Sequence, residues 1–186
     1  MLKLVSPRAR GFSLIELMIA LAIAVTLLLL AAPNYATWVA DSRIRAAADS
    51  IAGGLRLAQA EAVKRNEDIE FILDPTTDTG GWTLNVVATP ATAMQSGTFR
   101  EGASLTQLTV LPAGNTIVTF TGLGTIRATN ADASTPFEQV TLAPSTGVTG
   151  SRNLRVLVGA GRTGIKICDP QWTIINADDP KACPTP

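Results

Sequence analysis

The chain has 186 residues, and its 15 Lys and Arg balance 15 Asp and Glu, so the formal net charge is zero. It holds no histidine and two cysteines, which excludes Ser-His-Asp and Cys-His catalytic arrangements and the common zinc sites. Without its three N-terminal basic residues, 12 basic residues remain against 15 acidic ones, which argues against a globally basic protein that coats nucleic acid.

A basic leader comes first, and an apolar segment follows it. Three basic residues precede Gly11, and the stretch of about 21 residues from Phe12 to Ala32 carries one charged side chain, Glu16. This stretch is long enough to cross roughly 30 Å of hydrocarbon, with the leader in the cytoplasm. A charge inside a bilayer costs roughly 2.5 to 3.5 kcal/mol, so Glu16 indicates a function. A cleaved secretory signal and a plain membrane anchor are the alternatives.

A helical pattern continues after Pro33, where we expect a kink because proline removes one backbone hydrogen bond. Apolar residues recur at spacings of three and four, which predicts one buried helix face: Ile44, Ala48, Ile51, Leu55, Ala58 and Ala62. Asn66 is the expected C-cap, and Gly53-Gly54 predicts a close contact with a sheet. A helix from Phe12 to Arg65 would be about 80 Å long, so its first half must be buried in lipid or in neighbouring subunits.

Strand-like segments follow the helix, and short connections between them favour antiparallel pairing. They are 69–73, 82–88, 105–110, 115–120, 124–128, 138–142, 153–158 and 163–168. The Thr/Ala/Ser-rich segments 89–98 and 129–135 are predicted to be surface loops. The predicted fold class is therefore α+β, with the helix covering one face of an antiparallel sheet.

Cys168 and Cys183 lie near the C-terminus. In an oxidising compartment they are expected to form a disulfide that closes the tail, and two free thiols are the alternative. No convergent acid/base or metal-ligating set stands out in the sequence, so we expect neither an enzyme nor a metal or other cofactor.

Residues Gly11-Phe12-Ser13-Leu14-Ile15-Glu16-Leu17-Met18 resemble the type IV prepilin processing site. The resemblance implies cleavage after Gly11 by a membrane aspartyl peptidase and N-methylation of the new N-terminal Phe12. It also implies that Glu16 pairs with the N-terminal amine of an adjacent subunit in the filament core. Pro33 matches the helix-kinking proline of this family.

The later part of the chain resembles the GspH/FimT group of minor pilins and pseudopilins, which includes FimU. The resemblance rests on residues 51–66, on Phe120-Thr121-Gly122-Leu123-Gly124, on Gly161-Arg162 and on the terminal cysteine pair. It implies a type IV pilin-like fold with four parts. They are a prepilin leader (1–11), a transmembrane or filament-core helix (12–33), an amphipathic helix (34–66) and a β-rich globular pilin domain with a disulfide-closed tail (67–186).

The leading functional hypothesis is a non-catalytic minor pilin that primes or caps a type IV pilus. One alternative is a FimT-like DNA-binding minor pilin for DNA uptake, with a candidate patch of Arg152, Arg155, Arg162 and Lys166. Glycine follows at 164, where those relatives place a second arginine, so the patch departs from their Gly-Arg-x-Arg motif. Another alternative is a GspH-type pseudopilin of type II secretion.

These hypotheses share their partners and their location. The expected partners are other major and minor pilins, bound through the N-terminal helix, together with the prepilin peptidase, the membrane and, for the DNA hypothesis, DNA. The expected location is the bacterial inner membrane with the C-terminal domain in the periplasm. Assembly then places the chain in a pilus or pseudopilus at the cell surface.

Overall fold

A computed structural model describes residues 11–76, 80–88, 91–98, 106–144, 151–159, 164–171 and 183. The chain divides into two compact units, Met1–Ala36 and Thr37–Pro186. We call the second one the head unit. It contains all of the strands that the described residues form.

Helix α1 runs from Leu14 to Arg65. It ends in two tightening hydrogen bonds, from the Asn66 N–H to the Val63 carbonyl (3.4 Å) and from the Glu67 N–H to the Ala62 carbonyl (3.3 Å). Asn66 has a φ of 54°, so this is a Schellman motif with asparagine in the left-handed position. The predicted cap is therefore confirmed. Pro33 lies within α1, and the kink there stays a prediction.

Eight strands form two four-stranded sheets in the described part of the chain. Sheet A has the order β3-β2-β1-β5 and sheet B the order β4-β6-β7-β8, and every pairing is antiparallel. The strands are β1 (Ile69–Asp74), β2 (Gly81–Val86), β3 (Thr92–Thr98), β4 (Thr106–Leu111), β5 (Ile117–Phe120), β6 (Gln139–Pro144), β7 (Leu154–Val158) and β8 (Ile165–Cys168). The predicted α+β class with antiparallel pairing is confirmed, but with two sheets instead of one.

The core of the head unit lies between the later part of α1 and the inner faces of both sheets. All six residues of the predicted helix stripe are buried, because their spacing places them on one side of the helix. Phe71 from sheet A and Phe137, which precedes β6, meet edge to face in this core with ring centroids 6.1 Å apart. Val140 and Val156 bring sheet B into the same cluster.

Trp82 fixes the distance between α1 and sheet A. Its indole stacks on Phe71 with centroids 5.9 Å apart, and its Nε1–H donates to the Ser50 Oγ at 3.2 Å. A Cβ at Gly54 would lie 2.7 Å from the indole, and one at Gly97 would lie 2.5 Å from it. The close helix–sheet contact predicted for the glycine pair is therefore made at Gly54 alone, since Gly53 is exposed.

Two segments differ from the sequence prediction. Residues 124–128 form no strand. The Thr121 N–H donates to the Thr125 carbonyl at 2.8 Å, which closes a turn. Of these residues only Ile126 makes a bridge, to Phe120. Residues 92–98, predicted as part of a loop, form β3. Because β3 is an edge strand with most residues exposed, it does not need the apolar alternation that identifies a half-buried strand.

The outer edge of β5 is closed by a side chain. Asn130 accepts hydrogen bonds at its Oδ1 from the Thr119 N–H (3.0 Å) and hydroxyl (2.9 Å). Its Nδ2 donates to the Ile117 carbonyl at 3.1 Å and to the Ser134 Oγ at 3.0 Å. Together with the Arg127 N–H, which donates to the Thr119 carbonyl at 2.9 Å, and the Phe137 N–H, which donates to the Ile117 carbonyl at 3.2 Å, the amide satisfies the buried backbone at this edge of β5.

Candidate processing and assembly site

The Gly11–Phe12 peptide bond lies in a short non-helical segment before α1. Gly11 and Phe12 are exposed, and 80% of the Phe12 surface is accessible. A Cβ added to Gly11 would meet nothing within 4 Å. Among the described residues, nothing therefore imposes a steric need for glycine at this position.

Ser13 caps the start of α1. Its Oγ accepts a hydrogen bond from the Glu16 N–H at 3.3 Å, and its carbonyl accepts one from the Leu17 N–H at 3.1 Å. Serine followed three residues later by glutamate is the sequence pattern of a capping box, so the helix begins directly after the Gly11–Phe12 bond. The hydrogen bonds of Ser13 therefore fix the residue at which helix α1 begins.

Glu16 lies in the first turn of α1, where the positive end of the helix dipole favours a carboxylate. The side chain is exposed among exposed apolar neighbours such as Ile15 and Leu17. Among the described residues no group donates a hydrogen bond to its carboxylate. By contrast, the Thr26 hydroxyl donates to the Ile23 carbonyl at 2.8 Å and is satisfied within the helix. Glu16 is thus an exposed charged group in the first turn of α1 without a hydrogen-bond donor among these residues.

The apolar surface of α1 before Pro33 is exposed along its length, including Leu21, Leu27 and Leu30. Within the described residues, no single helix is long and apolar enough to qualify alone as a membrane span. The consecutive segments Leu14–Leu30 and Tyr35–Arg65 meet the length and composition requirements only as a bent pair. A membrane span over 12–33 remains a prediction.

Three of the four basic residues proposed for DNA lie in the described part of the chain. Arg155 in β7 and Lys166 in β8 lie on the same face of sheet B, because Arg155 pairs with Cys168 and Lys166 with Leu157; this face is opposite to that of Val156 and Val158, which belong to the core. The Nε of Arg155 is buried and has no hydrogen-bond partner among the described residues. Arg152 precedes β7 and lines a separate groove, and Arg162 lies outside the described residues.

That groove has a volume of about 360 Å³ and lies between α1 and the β7–β8 end of sheet B. Asp41 on α1 accepts hydrogen bonds from the Ser151 hydroxyl (2.7 Å) and the Arg152 N–H (2.9 Å). Ile44 and Leu154 form part of its lining. Asp41 therefore holds the start of β7 against the helix.

Cys168 at the end of β8 is bonded to Cys183. The predicted disulfide is therefore confirmed, and it ties the C-terminal segment to the last strand of sheet B. Within the described ranges, no group of three or more acidic or cysteine side chains is arranged to hold a metal ion.

The family model described as "Type II transport protein GspH" matches residues 47–164, well over half of the chain. The chain belongs to the GspH family. The model described as "Prokaryotic N-terminal methylation motif" matches residues 6–32, the region that contains Gly11, Phe12 and Glu16. No curated protein matches the chain, and no solved structure does.

Membership of the GspH family confirms the resemblance inferred from the sequence and agrees with the pilin-like fold. The matched region extends from the buried part of α1 through β7, so it covers most of the core of the head unit. The family and the methylation motif together indicate a pseudopilin or minor pilin.

Sequence reasoning missed three contacts that shape the head unit. They are the packing of Trp82 between α1 and sheet A, the hydrogen bonds of Asn130 to β5, and the hydrogen bonds of Asp41 to the start of β7. Tryptophan between two glycine-containing segments was a weak signal for the first. The other two depend on contacts between residues distant in sequence, such as Asp41 and Ser151, and the sequence held no comparable signal for them.

Proposed function

We propose that this chain is a structural, non-catalytic pilin-like subunit that assembles with other pilin-like subunits through its N-terminal helix. The observation that carries the proposal is the order of the two family matches. A methylation motif over residues 6–32 precedes a GspH match over residues 47–164. This order is that of a membrane-processed assembly helix followed by a globular unit.

The first step we propose is cleavage between Gly11 and Phe12, followed by N-methylation of Phe12. An exposed, non-helical peptide bond suits a peptidase because the backbone must enter the active site extended. Since none of the described residues crowds Gly11, we attribute the need for glycine to the active site of the peptidase. Cleavage also creates a cationic amine at the start of α1.

The second step is pairing of Glu16 with the N-terminal amine of a neighbouring subunit. Its carboxylate has no donor among the described residues, and its surroundings are apolar. An unpaired charge in such surroundings is strongly unfavourable, whereas a paired one offsets the desolvation cost and can fix the register of packed helices. This pairing makes Glu16 an assembly residue.

The processing step is tested by mass spectrometry of the mature chain isolated from its native membrane. The expected mass lacks residues 1–11 and carries one additional methyl group on Phe12. Gly11→Ala should leave the precursor uncleaved, while Gly53→Ala, a glycine change in the exposed middle of α1, should be processed normally. A mature chain that keeps its leader would refute the proposed processing.

The pairing step is tested with Glu16→Ala. We expect loss of incorporation into filaments, measured as the amount of the chain that copurifies with them, while the Cys168–Cys183 disulfide still forms. Glu67→Ala removes an exposed carboxylate of the head unit and should incorporate normally. Wild-type incorporation of Glu16→Ala would show that the carboxylate has no assembly role.

Of the two machines, the family description favours the pseudopilus of type II transport. A minor pilin that primes or caps a type IV pilus is the second candidate, because the processing motif serves both. In either case the subunit starts in the inner membrane with the head unit outside the cytoplasm, where an oxidising environment supports the disulfide. Deletion of the gene should abolish exoprotein secretion in the first case and piliation in the second.

DNA binding is a further candidate function, because the basic residues Arg155 and Lys166 lie on the same face of sheet B. Phosphate contacts by these cations would make binding weaken steeply with salt. A titration of duplex DNA at low and high salt tests it, with Arg155→Ala expected to weaken binding and Arg65→Ala as the control. Absence of binding at low salt would remove this function.

A further inference from the structure

Two aromatic residues of α1 are exposed where the covered part of the helix begins. Ala40 and Ile44 are buried, and Ile44 packs in the core that α1 shares with both sheets. In the turn before Ala40, the environment is the opposite. Tyr35 is 67% exposed and Trp38 is 65% exposed, although large aromatic side chains gain the most from being removed from water.

The sequence around these two residues changes from apolar to charged. No charged residue occurs between Glu16 and Asp41, and charged residues follow closely after Asp41. Because charged side chains are costly in hydrocarbon, this change marks the part of the chain at which α1 leaves a membrane that residues 12–33 span. Tyr35 and Trp38 lie between the predicted span and the first charged residue after it.

The length of chain after the predicted span matches the thickness of a lipid headgroup layer. This layer extends about 5 to 8 Å beyond the hydrocarbon on each side of a bilayer. At 1.5 Å per residue, Tyr35 follows Pro33 by roughly 3 Å of helix and Trp38 follows it by roughly 8 Å, and any bend or tilt reduces these depths. Both residues therefore fall within the headgroup layer when residues 12–33 occupy the hydrocarbon.

Tyrosine and tryptophan suit this layer because each combines an apolar ring with one polar group. The ring is removed from water against the acyl chains, while the phenol O–H or the indole N–H keeps a polar partner in the headgroup region. Both residue types are enriched at membrane–water interfaces for this reason. The chemistry of the two side chains therefore fits the boundary layer of a bilayer better than its hydrocarbon centre.

We propose that Tyr35 and Trp38 form an interfacial anchor. Their rings bind the headgroup layer of a phospholipid bilayer on the side of the head unit, and they set the depth at which α1 leaves the membrane before assembly. The inference rests on the proposed function, since it requires residues 12–33 to span that membrane. It extends that function by assigning a lipid layer to two exposed side chains. Helices of neighbouring subunits are the competing cover for these rings.

Depth-dependent fluorescence quenching tests the anchor on the full-length chain in vesicles of phosphatidylcholine and phosphatidylglycerol. The emission of Trp38→Phe is subtracted from that of the wild type, because the other tryptophans contribute to both. Lipids with a nitroxide on the headgroup or at a shallow acyl carbon should quench Trp38 about twofold more strongly than lipids with a nitroxide near the chain end. Quenching by aqueous acrylamide without lipid quenching would overturn the proposal. Protection from both quenchers, the result that neighbouring helices produce, would overturn it too.

Three reporters in the Trp38→Phe background complete the experiment. Tyr35→Trp should show the same shallow profile as Trp38. Val63→Trp, at an exposed position near the far end of α1, should be quenched by acrylamide alone, and lipid quenching equal to that of Trp38 would refute an anchor specific to Tyr35 and Trp38. Leu21→Trp, near the middle of the predicted span, should be quenched most by the deep nitroxide.

The Leu21→Trp reporter also separates this inference from the function on which it rests. Deep quenching of Leu21→Trp without lipid quenching of Trp38 would overturn the anchor alone and leave the membrane step intact. Absence of lipid quenching at Leu21→Trp would remove both the anchor and the membrane step of the proposed function.

Discussion

Gly53 and Gly54 are adjacent in α1 and have opposite surroundings. A Cβ at Gly53 would enter open space, whereas one at Gly54 would lie 2.7 Å from the Trp82 ring and 2.8 Å from that of Phe71. Both glycines weaken the helix by about 1 kcal/mol relative to alanine. At Gly54 this cost permits the close approach of α1 to sheet A.

We therefore expect Gly53→Ala to stabilise the head unit by up to about 1 kcal/mol. Gly54→Ala should destabilise it by about 1 to 2 kcal/mol, because overpacking of a filled core outweighs the gain in helix propensity. Urea unfolding monitored by tryptophan fluorescence measures both, and each variant serves as the control for the other. Equal effects of the two substitutions would contradict this account of the helix–sheet contact.

Glu70 in β1 carries a carboxylate in an unfavourable setting. Burial raises its pKa above the ordinary value of 4.5, and the negative charge of Asp132 raises it further, while a hydrogen bond from the Ala131 backbone opposes the shift. Because the folded state holds this proton more tightly than the unfolded chain does, the stabilisation is complete below the ordinary pKa and is lost as pH rises through the folded value.

Glu70→Gln should therefore unfold at a higher temperature than the wild type at neutral pH, with the difference shrinking as the pH falls below 4.5. Thermal melts over this pH range test the expectation. Glu67→Gln, which changes an exposed glutamate near the helix end, should not show the same pH-dependent gain. An equal gain for Glu70→Gln at every pH would point to a cause other than its proton.

At the scale of the element, strand β5 depends on a side chain for part of the pairing at its outer edge. One edge pairs with β1 through four residues, and Asn130 occupies part of the other edge. The Asn130 residue is 4% exposed and Thr119 is 0% exposed, so water cannot readily replace these bonds. A buried donor or acceptor left without a partner costs about 1 to 3 kcal/mol.

Asn130→Ala is expected to destabilise the head unit by about 1 to 3 kcal/mol, because it leaves the buried Thr119 N–H without an acceptor, whereas the Ile117 carbonyl keeps the hydrogen bond from the Phe137 N–H at 3.2 Å. Denaturant unfolding provides the measurement. Asn115→Ala removes an exposed amide that donates to the Thr135 hydroxyl at 2.5 Å and should cost no more than about 0.5 kcal/mol. Similar costs for both asparagines would argue against the edge-closing role.

At the scale of the whole molecule, α1 contributes to both compact units and serves each in a different way. From Leu14 to Leu30 its large apolar side chains are exposed, which suits an environment of lipid or other helices. After Thr37 its buried stripe is covered by the two sheets of the same chain. The disulfide closes the head unit at its other end, across a separation of 15 residues.

Reduction of the disulfide should lower the free energy of unfolding of the head unit by about 3 kcal/mol, because the unfolded chain regains the entropy of an open loop of this size. The midpoint of denaturation with and without reductant measures the change. In a Cys168→Ala/Cys183→Ala double variant, reductant should have no effect. An unchanged midpoint in the wild type would mean that the bond adds nothing to stability.

Much of this architecture could be predicted because its determinants are local. The stripe from Ile44 to Ala62 follows from helical spacing, and Asn66 follows from the preference for left-handed residues at helix ends. Strand β3 could not be predicted in the same way, since its Thr, Ser and Gly residues are typical of a loop and only pairing with β2 makes them a strand. Residues 124–128 show the opposite case: their composition is typical of a strand, but without a pairing partner beyond the single bridge of Ile126 to Phe120 they do not form one.

The sequence by itself determined the processing motif, the buried face of α1, the α+β class and the cysteine pair, since each is defined by neighbouring residues or by composition. Only the tertiary structure decided which glycine meets Trp82 and which edge of sheet A carries Asn130. These features depend on contacts between residues far apart in the chain. The spacing of a single sequence does not encode such distances; packing around the shared core sets them.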